Sequence, residues 1–383
     1  MLNGEENMIN SWTGFQPLRE VWLGDVWPVG WEKFILKDPV QQEKLRNIII
    51  QTQEQLNTFQ RIMEDDGIHV RRPCMPGPEK VFEMWQKPRG YDYWTYVRDY
   101  FEQELFKGHY IEAVGNYEKF QKEMQMCFEE ITDQSLLPEL NPRDNFLVYG
   151  NTMWVYHDYA KAMAWWGDTL DEYVSAGFDV RFPAQQKQYM GVVPPSIVRL
   201  GKDVIIENTP HPVYSLQDHT GNKIMAKAMR NQYNARVYES GYVDGRHSDG
   251  QFAVLRPGVA MTSQVRGDRY QDSLPGWRVI RHVTPEFHRL SQEEKDEIFS
   301  MRFVNKQIEP WIGNITESFF DVNCLVRDEG HVYVSSDPPK DLGSSYTVIP
   351  WRYRFFWDGG LHCITLDINR EGKQEDYFDS KIN

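Results

Sequence analysis

The stretch "DNFLVYGNTMWVYH" (residues 144–157) reads as two short strands folded about Gly150-Asn151. Aromatic and β-branched residues on both sides of a Gly-Asn pair are the composition of a tight hairpin, because glycine and asparagine tolerate the backbone angles that such turns need. The same pattern returns along the chain. "IVRLGKDVIIEN" turns at Gly201-Lys202, "QFAVLRPGVAMTS" turns at Pro257-Gly258, and "CLVRDEGHVYVSS" is again a hairpin. Helical stretches stand among them, "NKIMAKAMRNQY" and the region around "SQEEKDEIFSMRFVN", with the single strand "ARVYES" after the first. Hairpins alternating with helices do not match a doubly wound parallel sheet. They predict an α/β protein of repeated β-hairpin-plus-helix units arranged around a centre, with the connecting loops converging on one site.

The N-terminal part fits this plan. "LREVWLGD" alternates like a strand, and a helix follows, with Asp38 as N-cap, Pro39 at the first helical position and Gly67 as the stop. Leu45, Ile49, Leu56, Phe59 and Met63 recur at helical spacing and predict one buried stripe. The strand "IHVRRP" comes next. No linker, charge block or repeat divides the 383 residues, so a single domain over 1–383 is expected.

The chain carries 42 basic and 56 acidic residues, a net charge of −14. That balance argues against duplex DNA or an anionic membrane surface as partner. The four cysteines, Cys74, Cys127, Cys324 and Cys363, show neither CxxC pairing nor metal-ligand spacing, which predicts reduced thiols, no metal and a cytoplasmic location. No apolar run approaches bilayer length, and "MLNGEENMINSW" lacks the features of a signal or transit peptide.

Ionisable residues interrupt strand-like patterns in four places. Asp144 stands directly before a strand in "NPRDNFLVYGN", and Asp244, His247 and Asp249 crowd a Gly-rich turn in "YVDGRHSDGQFAVLRPG". Arg266 in "MTSQVRGDRY" lies on the loop leaving that hairpin. The fourth place is "FFWDGGLHCITLDINREG" (residues 355–372), where Cys363 sits behind two glycines and a histidine as an alternating strand begins. A lone cysteine is ordinarily a buried structural thiol, and that reading is kept for Cys74, Cys127 and Cys324. At Cys363 the surroundings differ. Gly359 and Gly360 leave bare backbone that a ligand can approach, and His362 with "CITLDI" sets the sulfur at an element boundary. Asp244 and Asp249 beside His247 favour its imidazolium. A cysteine and a distant histidine that meet in space form a nucleophile and acid/base pair. Asp144 and Asp249 read equally well as turn residues, since aspartate is common before strands and in tight loops.

Cysteine, histidine and two aspartates together suit attack on a guanidinium carbon. Planar carboxylates hold guanidinium through charge-assisted bonds. A cation beside the sulfur and a neighbouring imidazolium favour thiolate. The departing amine needs a proton, which histidine can give and later retrieve. Arg266 suits the α-carboxylate of an amino-acid substrate.

These stretches resemble the glycine amidinotransferases of the guanidino-group-modifying (pentein) superfamily, which also contains arginine deiminases. "FQPLREVWLGD" looks like the family's opening strand, "PRDNFLVYGN" is similar to its PRD-hydrophobic-VxG segment, and "IVRLGKDVI" to its strand with a GRD turn. "HSDGQFAVLRPGVAM" resembles the His-x-Asp hairpin, and "GGLHCITLDINREG" the terminal GG-x-HC-x-x-x-D motif. The likeness is scattered but ordered over nearly the whole chain, and the last two motifs are specific in combination. The resemblance implies a five-fold pseudosymmetric α/β propeller (pentein fold) of ββαβ-type units around a central active site. It also implies a cofactor-independent ping-pong reaction, in which an amidino group passes from an arginine-like donor through a covalent amidino-cysteine to an acceptor amine. On this likeness Cys363 is the nucleophile, His247 the acid/base, Asp144 and Asp249 the carboxylates gripping the guanidino group, and Arg266 the carboxylate binder. The implied partners are small-molecule substrates, without nucleic acid or membrane, and a homodimer is compatible with the likeness.

One departure bears on activity. The family carries a further acidic catalytic residue in an "FDAAD"-like run, where this chain has "VVPPSIVRLGKD", with Val193 and Ser196 in place of aspartates. A lost charge-assisted bond costs about 1.5–3 kcal/mol, roughly ten- to more than a hundredfold in rate or affinity. Asp203, Glu207 or a loop residue compensates, or the donor differs, or activity has faded. Serine pairs expected before "VNCLV" are replaced by "NITES", which leaves the acceptor open. Two alternatives stand beside transfer: an arginine deiminase-type guanidino hydrolase, and a catalytically impaired binding protein of the same fold.

Overall fold

A computed structural model of the chain describes residues 9–73, 140–155, 159–181, 194–207, 220–240, 248–250, 252–263, 274–282, 319–354, 356–357 and 359–378, with scattered positions at 75–122 and 291–296. Among these residues the strands form five three-stranded mixed sheets. Each sheet joins an antiparallel pair to a third strand that runs parallel to one member of the pair. In the second sheet β3 (Phe146–Tyr149) and β4 (Thr152–Val155) form the hairpin, and β5 (Asp179–Arg181) lies parallel to β4. The third repeats this with β6 (Ile197–Leu200), β7 (Asp203–Glu207) and β8 (Arg236–Ser240). The fourth has β9 (Phe252–Arg256), β10 (Val259–Thr262) and β11 (Arg278–Arg281), and the fifth β12 (Leu325–Asp328), β13 (His331–Val334) and β14 (Ser345–Val348). In the first sheet β1 (Leu18–Leu23) pairs antiparallel with β15 (Thr365–Arg370) and parallel with β2 (His69–Arg71). The first and last strands thus share one sheet.

The four hairpins foreseen in the sequence are all present. Gly150 takes φ 63° at the β3–β4 turn, a left-handed angle that a residue with a Cβ adopts only under strain. Helix Pro39–Asp65 forms as its caps predict: the Asp38 carboxylate accepts from the Val40 amide at 2.9 Å, Pro39 opens the first turn, and all five stripe residues are buried. Helix Thr220–Tyr233 contains "NKIMAKAMRNQY". Helix Tyr159–Ser175 was not legible beforehand. Its "AKAMAWW" run is apolar almost continuously, which hides the 3.6-residue period, although Trp166, Leu170 and Tyr173 are buried at helical spacing among its described side chains. Trp166 stacks on Trp22 of β1 at 4.5 Å, so this helix packs against the first sheet. The helix expected around residues 291–305 lies largely outside the described residues. Among the described residues no helix is long and apolar enough to cross a membrane.

Three arginines converge on one buried carboxylate. Asp367 of β15 meets Arg143 at 2.6 Å, Arg199 of β6 at 2.8 and 2.6 Å, and Arg370 at 2.7 Å, and accepts from the Ser11 hydroxyl at 2.8 Å. Asp367 is fully buried, and none of the three arginines exposes more than 5 % of its surface. The remaining guanidinium N–H groups reach backbone carbonyls. Arg143 donates to His362 and Thr365, Arg199 to Val148, and Arg370 to Gln16 and Val326. Four of the five sheets are tied through this cluster.

Burial works to raise the Asp367 carboxyl, but Arg199, Arg370 and Arg143 outweigh it and hold the group well below the usual carboxylate range. Its stabilising contribution is therefore complete at neutral pH and is lost only as pH falls through that low folded value. Asp367→Asn leaves three buried cations without a counter-charge and is expected to cost about 3–5 kcal/mol of stability, read by denaturant unfolding at pH 7.

Candidate active site

Five short segments meet near the Asp367 cluster: four lead into the first strand of a hairpin, and the fifth leads into β15, the partner of β1. The turn Pro142–Asn145 carries Asp144 into β3, Pro194–Ser196 leads into β6, and Ser248–Gly250 carries Asp249 toward β9. Helix Phe319–Val322 delivers Asn323 before β12, and the turn at 361–364 carries His362 and Cys363 into β15. The Pro194–Ser196 turn packs against both the Asp144 turn and the Asp249 turn. Polar residues sit here because a strand's N-terminal edge offers backbone groups that its own ladder does not use.

Cys363 is 3 % exposed, yet its sulfur lies among polar groups. The thiol is 3.5 Å from Asp249 Oδ2, within reach to donate, and Sγ accepts from Asn323 Nδ2 at 3.0 Å. Asn323 Oδ1 accepts from the Cys363 amide at 2.9 Å, and Asn323 Nδ2 also donates to the Asp249 carbonyl at 3.1 Å. His362 Nδ1 lies 2.8 Å from Asp249 Oδ2. Burial, with the Arg143 charge adding to it, pushes the His362 imidazole down to about 4, so a neutral ring donates its Nδ1–H to the carboxylate. A quarter of the His362 side chain still meets solvent.

Burial, then the charges of Asp249 and Asp144, push the Cys363 thiol well above its ordinary range. The sulfur therefore rests as a thiol in the free site. A cation entering between the carboxylates removes both charge penalties at once and favours thiolate. Cys324 differs in kind. It is buried in an apolar cluster, and burial alone raises its thiol to about 12, which fits the structural role expected of it.

Of the residues singled out in the sequence, Cys363, Asp249 and Asp144 come together. His247, Asp244, Arg266, Val193, Cys74 and Cys127 lie outside the described residues, as does "NITES". Two expectations are corrected. Gly359 and Gly360 do not leave room for a ligand: a Cβ on Gly359 would stand 2.5 Å from Asn141 Oδ1, and one on Gly360 2.6 Å from Asn323 Cβ. They are glycines because the asparagines that hold the turn fill that space. Asp203 does not compensate for the missing acid, because both its carboxylate oxygens are taken by Arg236 at 2.8 Å and it begins β7 away from the site. Ser196 is buried beside the Asp144 and Asp249 turns, where it brings no charge. Asn323 and the bond from His362 to Asp249 were missed. The signal for Asn323 was its position, a polar residue just before a hairpin, shared with Asp144.

No family model matches the chain. The fold is similar to that of SxtG, an amidinotransferase from Microseira wollei in the saxitoxin biosynthetic pathway, with a TM-score of 0.61 over 97 % of this chain and 99 % of that one, at 20 % identity. In sequence the chain is 26 % identical over 343 residues to the L-arginine:L-lysine amidinotransferase of Pseudomonas savastanoi pv. phaseolicola, a match covering 85 % of this chain and 80 % of that protein. It is 23 % identical over 193 residues to the mitochondrial glycine amidinotransferase of Gallus gallus, covering 48 % of this chain and 39 % of that protein. The resemblance to amidinotransferases read from the motifs thus holds along most of the chain.

Because Asp249 raises the thiol, Asp249→Asn is expected to move the pH profile of Cys363 alkylation in the free protein to lower pH. Iodoacetamide labelling mapped by mass spectrometry measures it, and an unmoved or upward profile contradicts the electrostatic account.

Proposed function

We propose that this chain is a cysteine-dependent amidinotransferase, which moves an amidino group from an arginine-like guanidino donor to an acceptor amine. The observation that carries the reading is a buried thiol bracketed by the charges of Asp249 and Asp144, with Asp249 Oδ2 at 3.5 Å. That grouping suits a planar cation and opposes an anionic substrate. The likeness in sequence to an L-arginine:L-lysine amidinotransferase along most of the chain supports the choice of transfer.

In the proposed reaction the donor guanidinium lies against Asp144 and Asp249, and its positive charge lets Cys363 pass its proton to the His247 imidazole. The sulfur lone pair attacks the central carbon, and a carbon–sulfur bond forms. The bond from that carbon to the donor's substituted nitrogen then breaks, and the amine departs with a proton supplied by His247. The acceptor amine repeats the attack on the amidino-cysteine, returning its proton to the imidazole and freeing the thiolate. Arg266 holds the donor's carboxylate. The neutral His362 keeps one oxygen of Asp249 oriented toward the sulfur. Ser196 adds no third charge to the donor grip, which favours a donor held largely by two carboxylates.

The finer architecture belongs to the same proposal. The five sheets are read as units of a five-fold pseudosymmetric propeller within one domain over 1–383, supported by their repeated topology and by the pairing of β1 with β15. A cytoplasmic location follows from the need for a reduced nucleophile.

Exposure to arginine without acceptor, followed by intact-protein mass spectrometry, is expected to show the gain of one amidino group mapped to Cys363. Cys363→Ala is expected to lose the adduct and to lower turnover by at least about a thousandfold, as removal of a covalent nucleophile does. Citrulline formed without an acceptor, or turnover within a few-fold of wild type for the alanine variant, overturns the proposal.

A further inference from the structure

The turn that carries Cys363 is held at the sulfur by the side chain of Asn323. Asn323 is 1 % exposed and spends its whole amide on the site: Oδ1 accepts from the Cys363 N–H, while Nδ2 donates to Cys363 Sγ and to the Asp249 carbonyl. Its own carbonyl accepts from the His362 N–H at 3.2 Å. Gly360 lets it come this close, since any side chain there would meet Asn323 Cβ at 2.6 Å. Among the described residues the Gly360 N–H also favours an ionised sulfur, and the charged groups facing it are acidic. Asp249 lies at 3.5 Å, Asp144 acts on it from the second sheet, and His362 is neutral and turned to Asp249.

We propose that Asn323 is a catalytic residue of this site, whose N–H donates to Cys363 sulfur as it becomes thiolate and aims it at the bound electrophile. The inference rests on the amidinotransfer reading for its electrophile, but not for the behaviour of the sulfur itself. A hydrogen bond to an anion is stronger than one to a neutral thiol, so this donor favours the ionised form against the two carboxylates. Nucleophilicity falls more slowly than acidity rises, with a Brønsted slope of about 0.4–0.5. A tenfold gain in thiolate population is therefore worth roughly a threefold gain in reaction rate below the ionisation. Asn323 changes no bond in the reaction: the proton it shares stays on nitrogen, and the electron pair that forms the carbon–sulfur bond comes from sulfur.

Asn323→Asp keeps the shape and the acceptor for the Cys363 amide but cannot donate to Sγ in its ionised form. The ionisation of Cys363 is followed by thiolate ultraviolet absorbance against a Cys363→Ser reference, which requires no reagent to enter the site. Asn323→Asp and Asn323→Ala are both expected to titrate at higher pH than wild type, the aspartate variant further. Alkylation near neutral pH is expected to slow about threefold or more in each. Circular dichroism confirms that the variants are folded, and a variant that fails to fold leaves the other to decide. Titration curves that superimpose on wild type overturn the proposal. The two readings separate cleanly: absence of an amidino adduct in wild type after arginine removes the transfer reading, whereas superimposed curves in a protein that does form the adduct remove only the role of Asn323.

Discussion

One buried carboxylate, Asp367, faced by three arginines, fixes the rest of the structure. Taking these charges out of water costs several kcal/mol for each ion, and three cations against one anion do not cancel by charge alone. The arrangement survives because the guanidinium N–H groups left over after Asp367 find carbonyl oxygens in β3, β12, the N-terminal segment and the Cys363 turn. Rigid planar forks make each of these bonds directional. The cluster acts as a geometric lock: β15, β6 and the Asp144 turn can be joined in one register only. Arg143 shows the consequence for the site most directly, since one side chain holds Asp367 and the carbonyl of His362.

The site draws its chemistry from that lock. Segments from different sheets supply residues at a similar structural position, just before a strand, so the residues gather although they are far apart in sequence. Asp144 and Cys363 are more than two hundred residues apart in the chain, yet the Asp144 charge acts on the Cys363 sulfur. Burial and two carboxylates favour the protonated sulfur in the free protein. Burial likewise keeps His362 neutral and confines it to orienting Asp249.

Charge also explains what the chain does not share with its relatives' pattern. The segment before β6 ends in Ser196, and the nearest following acid, Asp203, is committed to Arg236, which also pairs with Asp376 in an ion-pair cluster that ties β7, β8 and the C-terminal segment. Among the described residues the segment before β6 thus brings no fixed negative charge to the site, while Asp249 and Asp144 remain.

The sequence by itself determined the local architecture: the Gly-centred hairpins, the Asp38-capped helix and the polar interruptions before strands. All of these depend on contacts within a few residues, and propensity, caps and turn chemistry are local quantities. It also pointed to Cys363, Asp144 and Asp249 as partners, through motif order. Only the tertiary structure decided why those motifs contain Arg143, Arg199 and Asp367, because the meaning of a buried charge lies in a counter-charge that can be two hundred residues away. The same holds for Gly359, Gly360 and Asn323. Two glycines before a cysteine read as open space, and the fold fills that space with asparagine side chains from other sheets. Long-range packing leaves no periodicity in the chain, so the clamp on the sulfur had to be seen in three dimensions.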